Sequence, residues 1–100
     1  MGSKRYEVPS SGALVAFESA GRLRAVGRAA DELNTSQSAI SRHIRHLEEH
    51  LGLPLFDRTG RGVALTPSGE AYLASVTSAL DLLNTTGKAL RTASQGVTIA

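Results

Sequence analysis

The sequence has no cysteine among its 100 residues, which excludes a disulfide framework or a thiolate metal site. Only 4% of the residues are aromatic, so the core of one small domain must be built from aliphatic side chains, a composition that favours helices. No apolar run approaches the length of a membrane span or of a signal-peptide core. We therefore expect a soluble, unexported protein of the reducing cytoplasm, without a membrane partner.

The sequence also has little excess of one charge sign, because its eleven basic and nine acidic residues give a net charge of only +2. Nine of the eleven basic residues are arginines and the sequence pI is about 9.5, which leans towards a nucleic-acid partner without proving one. The positions of the arginines therefore decide the functional interpretation.

Two helices are predicted before position 34. The first begins after Pro9, carries apolar residues at helical spacing, and is expected to close at Gly21. The second covers residues 25–33, where apolar residues recur at the spacing of one helix face.

The turn that follows is predicted to be very short. Asn34 tolerates the left-handed conformation and can end the second helix, and Thr35 or Ser36 can cap the third. Gly52 ends that third helix. Its apolar residues form one narrow stripe: Ile40, Ile44, Leu47 and Leu51.

Residues 55–58 and 63–66 are strand-like pieces on either side of a glycine-rich tip, which indicates a hairpin, or wing. Thr66 followed by Pro67 is a strong helix start. The predicted fold is mainly α with a small β-hairpin: a winged helix-turn-helix of three helices plus wing, followed by a long linker helix. We place the winged helix-turn-helix domain at residues 1–65 and the linker helix at 66–94.

The long helix carries a 3.5-residue apolar repeat that is typical of a helix-helix seam. For Tyr72, Leu73 and Val76, packing on the domain's own body is an equal alternative. Beyond Leu80 a domain this small has nothing left to cover the stripe, so we expect a second copy of the chain there. The predicted dimerisation residues are Leu73, Val76, Leu80, Leu83 and Leu90.

The third helix also carries the candidate binding residues. They are expected on the side opposite the apolar stripe, where no carboxylate lies near the positive N-terminal end of the helix, because Glu48 and Glu49 come only later. Arginine can bond both guanine acceptors and glutamine can pair with adenine in a DNA major groove. The residues on this side are Gln37, Ser38, Ser41, Arg42 and Arg45.

Two further arginines fit the same docking surface. Arg58 lies at the base of the predicted wing, and Arg61 lies at its tip between two glycines. The glycines would let the tip approach a phosphate backbone or enter a minor groove.

The run AADELNTSQSAISRHIRHLEEHLGLPLFDR, together with LTPSGEAYL after it, resembles the N-terminal DNA-binding domain of LysR-type transcriptional regulators. The start, PSSGALVAFESA, is most similar to the subgroup that regulates glycine cleavage and β-lactamase genes. The resemblance covers nearly the whole chain. Ser38 departs from it, because many members have proline there.

The resemblance implies a bacterial transcription factor that binds operator DNA as a homodimer, on interrupted inverted repeats, with tetramers possible in the full-length protein. It carries DNA contacts over to Ser36, Gln37, Ser41 and Arg42, and to Arg58 and Arg61 in the wing. Residues 95–100 would start an effector-binding domain, so we expect the chain to be a fragment of a longer regulator, whose small-molecule effector would bind outside it.

Two competing interpretations remain. His46 and His50 are one helical turn apart and could share a zinc ion, but the order of residues differs from the protease motif, so we predict no metal, no cofactor and no catalysis. A winged helix can also serve as a protein-interaction module without DNA binding.

Overall fold

The computed structural model describes residues 6–58 and 63–96. Within them the elements follow the predicted order, with helix α1 (Ser11–Leu23), α2 (Val26–Glu32), α3 (Gln37–Leu51), strands β1 (Phe56–Asp57) and β2 (Ala64–Leu65), and helix α4 (Pro67–Gly96). The predicted winged helix-turn-helix with a long following helix is confirmed.

Helix α1 continues past the glycine that was expected to end it. Ser10 caps its start by accepting the N–H of Ala13 at 3.2 Å, and the left-handed residue at its end is Arg24, with φ 57°. Gly21 is buried inside the helix, where an added Cβ would lie 3.1 Å from Leu73 Cδ2 of α4. The prediction was wrong because this glycine serves a close helix contact rather than a chain reversal.

The turn between α2 and α3 follows the sequence prediction. Asn34 adopts φ 57° and directs the chain out of α2, while Thr35 N–H bonds the Ala30 carbonyl at 2.9 Å. Ser36 is the cap of α3, because its Oγ accepts the Ala39 N–H at 3.1 Å. Gly52 ends α3 in the left-handed conformation, at φ 77°.

The core gathers three of the four aromatic residues with the apolar stripe of α3. Phe17 is completely buried, and its ring centroid lies 5.5 Å from that of Phe56 and 5.8 Å from that of Tyr72. These contacts join α1, the wing and α4. The most deeply buried large side chains are Phe17, Ile40, Ile44, Leu47 and Leu55.

The wing is an antiparallel pair in which Phe56 faces Leu65 and Asp57 faces Ala64. Thr66 connects it to α4, because its Oγ1 donates to the Pro54 carbonyl at 2.9 Å and accepts the Gly69 N–H at 3.0 Å. The capping role predicted for Thr66 is confirmed. The glycine-rich tip, including Arg61, lies outside the described residues.

Helix α4 divides its apolar residues between the domain and solvent. Leu73 contacts Gly21, Val76 is buried in the core, and Leu80 is partly buried against it. Leu83 and Leu90 are 70% and 67% exposed. Tyr72, Leu73 and Val76 therefore pack on the domain's own body, the alternative to dimerisation given for them above. No helix within the described ranges is long and apolar enough to cross a bilayer.

Candidate nucleic-acid interface

Helix α3 turns its apolar residues inward and most of its polar residues outward. Ile40, Ile44 and Leu47 are buried. Ser38, Arg42 and Arg45 are exposed, and Ser41 is partly buried at the margin of the exposed side. We call this exposed side, with Ser36 and Gln37 at its start, the α3 face.

Gln37 sits at the edge of the α3 face and not opposite the stripe. At 100° per residue it lies within about 50° of the centre of the apolar stripe, although its side chain is exposed. Its amide lies close to Gly27 of α2. The prediction for Gln37 is thus correct in that its side chain is exposed. It is wrong in placing Gln37 on the side of α3 opposite the apolar stripe.

The arginines of the α3 face are free to take a partner from outside the molecule. Within residues 6–58 and 63–96, the side chains of Arg42 and Arg45 form no ion pair and no hydrogen bond. The N-terminal end of α3 adds unsatisfied backbone N–H groups and the positive pole of the helix dipole. Ser36 uses its Oγ as a cap acceptor, and its O–H proton is still available for donation. The surface is suited to an anionic partner.

Glu48 holds the wing to α3. Its Oε2 accepts the backbone N–H groups of Leu55 at 2.8 Å and Phe56 at 3.2 Å, and its side chain is only 18% exposed. Its Oε1 lies 3.6 Å from Arg58 Nη2. The carboxylate is therefore directed away from the α3 face and towards the base of the wing.

Arg58 is positioned by this contact. Its side chain is 55% exposed, so the pairing with Glu48 leaves Arg58 accessible to solvent. An exposed pair of this kind contributes little to stability, about 0–1 kcal/mol. The pairing instead gives Arg58 a preferred direction at the wing base.

A cluster of polar side chains connects α2 to α1 through hydrogen bonds and ion pairs. The buried Ser19 donates its hydroxyl to Glu32 Oε2 at 2.7 Å, and Arg22 binds both Glu18, at 2.8 Å, and Glu32. Hydrogen bonds donated by Arg22, and secondarily by Ser19, lower the pKa of Glu32. The hydrogen bonds that Arg22 donates to Glu18 and Glu32 raise the pKa of Arg22. Because α2 leads directly into the turn before α3, this cluster helps set the orientation of α3.

The family model for bacterial regulatory helix-turn-helix proteins of the lysR family matches residues 12–70. The chain belongs to the LysR family. The matched segment runs from α1 through α3 and the wing into the first turn of α4.

Curated transcriptional regulators resemble well over half of the chain. It is 51% identical to the HTH-type transcriptional regulator TrpI of Pseudomonas aeruginosa over 63 residues, which cover 63% of this chain and 21% of that protein. It is 45% identical to the HTH-type transcriptional activator AmpR of Providencia stuartii over 80 residues, 80% of this chain and 27% of that protein. The chain thus spans about a quarter of the length of these relatives.

Solved structures of LysR regulators share the fold. The DNA-binding domain in the CbnR_DBD–DNA complex has a TM-score of 0.72 and 33% identity, with 82% of this chain and 94% of that chain covered. The BenM_DBD/catB site 1 DNA complex gives a TM-score of 0.78 and 28% identity, with 84% and 94% covered.

Regulators of glycine cleavage and β-lactamase genes, the subgroup expected from the start of the chain, occur among the relatives at lower identity than TrpI. Besides AmpR, the chain is 42% identical over 77 residues to the glycine cleavage system transcriptional activator homolog of Haemophilus influenzae, with 77% of this chain and 26% of that protein covered.

Sequence reasoning missed two structural roles. It treated Glu48 only as a carboxylate remote from the front of α3, and it did not single out Ser19, Arg22 or Glu32. One signal was available for Glu48, because a carboxylate near a helix C-terminus opposes the helix dipole and so points to a specific partner. For Glu32 the partner lies on another helix, which local spacing does not specify.

Helix α3 carries the two histidines considered above for a zinc site. His46 and His50 are both exposed. Across the described part of the chain, no three side chains of the His, Cys, Asp and Glu types are placed to hold a metal ion.

Proposed function

We propose that this chain binds double-stranded DNA in a sequence-specific manner, as the DNA-binding part of a bacterial LysR-type transcriptional regulator in the cytoplasm, and that it has no catalytic role. The observation that carries the proposal is the α3 face, where Arg42 and Arg45 are exposed without an internal partner among the described residues. The DNA complexes of the CbnR and BenM domains, which share this fold, support it.

The α3 face supplies the chemistry for reading bases. Arg42 would donate two hydrogen bonds to guanine, and Gln37 would pair with adenine in the major groove. Ser36, Ser38 and Ser41 can donate to bases or phosphates near the N-terminus of α3. Arg58, held at the wing base by Glu48, would contact the flanking backbone, and Arg61 would follow at the wing tip.

The exposed leucines of α4 support assembly into a homodimer. Leu83 and Leu90 continue the stripe that Val76 and Leu80 begin on the domain's own core. Covering them with the same surface of a second copy would give a two-fold dimer. Such a dimer would read an inverted repeat whose half-sites are separated by about one helical turn of DNA or a multiple of it.

Fluorescence anisotropy with duplexes selected from a randomised library tests the proposal. Arg42→Ala should weaken binding to selected duplexes by about 1–3 kcal/mol, because one bidentate base contact is lost, and should weaken binding to random duplex much less. Arg91→Ala is the matched control, since it removes an exposed arginine of α4 away from the α3 face.

The same titration distinguishes the alternative of a protein-interaction module. DNA binding requires that log affinity fall linearly with log salt as counterions leave the phosphates. If the unmutated chain had no affinity for random duplex even at low salt, the proposal would be overturned and the interaction module favoured.

A further inference from the structure

Helix α2 meets the first residue of α3 at a position without a side chain. A Cβ added to Gly27 would lie 3.3 Å from Gln37 Nε2 and 3.7 Å from Gln37 Cδ. Both of the neighbouring atoms found within 4 Å of that point belong to Gln37. The amide of Gln37 therefore rests over the backbone of α2.

Nothing local explains a glycine at this position. Gly27 lies within α2, its φ is not positive, and glycine is a poorer helix former than alanine. Gly21 differs, because a Cβ there would press on the core side chain Leu73. The structural consequence of Gly27 is the space it leaves for a polar, exposed side chain of the α3 face.

We propose that Gly27 is a specificity-determining position that acts through Gln37. The inference rests on the proposed function, in which Gln37 reads a base. A methyl group at position 27 would displace the amide by a few tenths of an ångström, and a branched side chain would exclude it from its place over α2.

Such a displacement matters because of the geometry of base recognition. Glutamine discriminates adenine only when its amide oxygen and nitrogen both reach the base edge in one plane. Hydrogen bonds weaken steeply once distance and angle depart from their preferred values. A change at Gly27, which does not itself have to touch DNA, should therefore change the base preferred at the position that Gln37 reads.

The test compares base preferences of the 100-residue chain across a randomised duplex library. Gly27→Ala and Gly27→Val form a graded pair, and the alanine variant keeps the test valid if the valine variant does not fold. We expect discrimination at one base pair to fall by about 5-fold or more in Gly27→Val, because about 5-fold is the smallest discrimination that a bidentate contact provides. The fall should be smaller in Gly27→Ala. The affected base pair should be the one altered by Gln37→Ala.

Gly12→Ala is the matched control. A Cβ at Gly12 would lie 3.2 Å from Cε1 of His43, another side chain of α3, so the substitution creates an equally tight contact with a side chain outside the α3 face. Its base preferences should equal those of the unmutated chain. A shift as large as that of Gly27→Ala would show a general effect of helix packing and would overturn the inference.

The double variant separates this inference from the proposed function. On a Gln37→Ala background, Gly27→Val should cause no further change in base preference. A change in base preference that persists on this background would mean that position 27 acts without Gln37, and it would overturn the inference. The inference would also be overturned if Gly27→Val caused no change at the base pair where Gln37→Ala causes one. If Gln37→Ala itself altered no preference, the base-reading role of Gln37 in the proposed function would fail first.

Discussion

At the scale of single residues, Arg42 and Arg45 have the same chemistry but different positions along α3. The N-terminal residues of a recognition helix reach the base edges, while residues further along approach the sugar-phosphate backbone. Arg45 lies nearly one turn beyond Arg42, and both are exposed. We therefore expect Arg45 to contribute affinity that does not depend on base sequence.

Arg45→Ala should weaken binding to selected and random duplexes by a similar factor. Loss of one phosphate contact should also reduce the slope of log affinity against log salt by about 1. Anisotropy titrations across a salt series measure both quantities, with Arg91→Ala as the control for charge alone. An unchanged slope with altered base preference would assign Arg45 to a base instead.

The cluster around Glu32 predicts a pH dependence of stability. Because Arg22 and Ser19 lower the folded-state pKa of Glu32, folding favours its ionised form. The resulting stabilisation is present above the ordinary glutamate pKa and is lost as pH falls through the lowered folded value. Stability should thus decrease on acidification in this window.

Glu32→Gln is the variant that isolates this effect. It should be less stable than the unmutated chain near neutral pH. The difference should shrink as pH falls below the ordinary glutamate pKa and through the lowered folded value, because Glu32 is then protonated in the unmutated chain. Urea unfolding at each pH measures it. A stability difference that stays constant with pH would show that the carboxylate charge is not involved.

At the scale of secondary-structure elements, Glu48 connects the recognition helix to the wing. Glu48→Ala leaves the part-buried N–H groups of Leu55 and Phe56 without their acceptor, at an expected cost of about 1–3 kcal/mol. Glu48→Gln retains an amide oxygen that can accept both N–H groups, so it should cost less. Urea unfolding and hydrogen exchange at these two amides measure the effect.

The neighbouring Glu49 provides the control for this substitution. Glu49→Ala should change the free energy of unfolding by no more than about 0.5 kcal/mol, because its side chain makes none of the contacts with the wing that Glu48 makes. Equal losses from the two alanine variants would argue against a specific role for Glu48 in holding the wing.

At the scale of the whole molecule, the exposed part of α4 determines assembly. Leu83→Glu should convert a dimer to a monomer, because it places a charge in the centre of the proposed seam. Leu80 is a less selective site for this test, since it also packs on the domain's core. Sedimentation equilibrium measures the mass, and binding to a selected inverted repeat should weaken more than binding to a single half-site.

Ser78→Glu is the matched control for the seam, because Ser78 is exposed on the opposite side of α4. It should leave the mass unchanged. A monomeric mass for the unmutated chain at high concentration would contradict the proposed dimer.

Neighbouring residues alone were enough to specify several parts of this protein. Ser36, Asn34 and Gly52 mark their helix ends through side-chain caps and left-handed conformations that need no distant partner. The apolar stripe of α3 likewise follows from helical periodicity, so its buried and exposed sides were predictable from the order of residues. The LysR resemblance rests on the same run of residues.

The partner that each surface meets was decided by the packing of the elements. Periodicity shows that Leu73 and Val76 form an apolar stripe but does not say whether α1 or a second copy covers it. In the same way, Gly21 is locally typical of a helix end, and only the position of Leu73 explains it. The contacts of Glu48 with the wing and of Gln37 with Gly27 join separate elements, so they depend on how the helices pack.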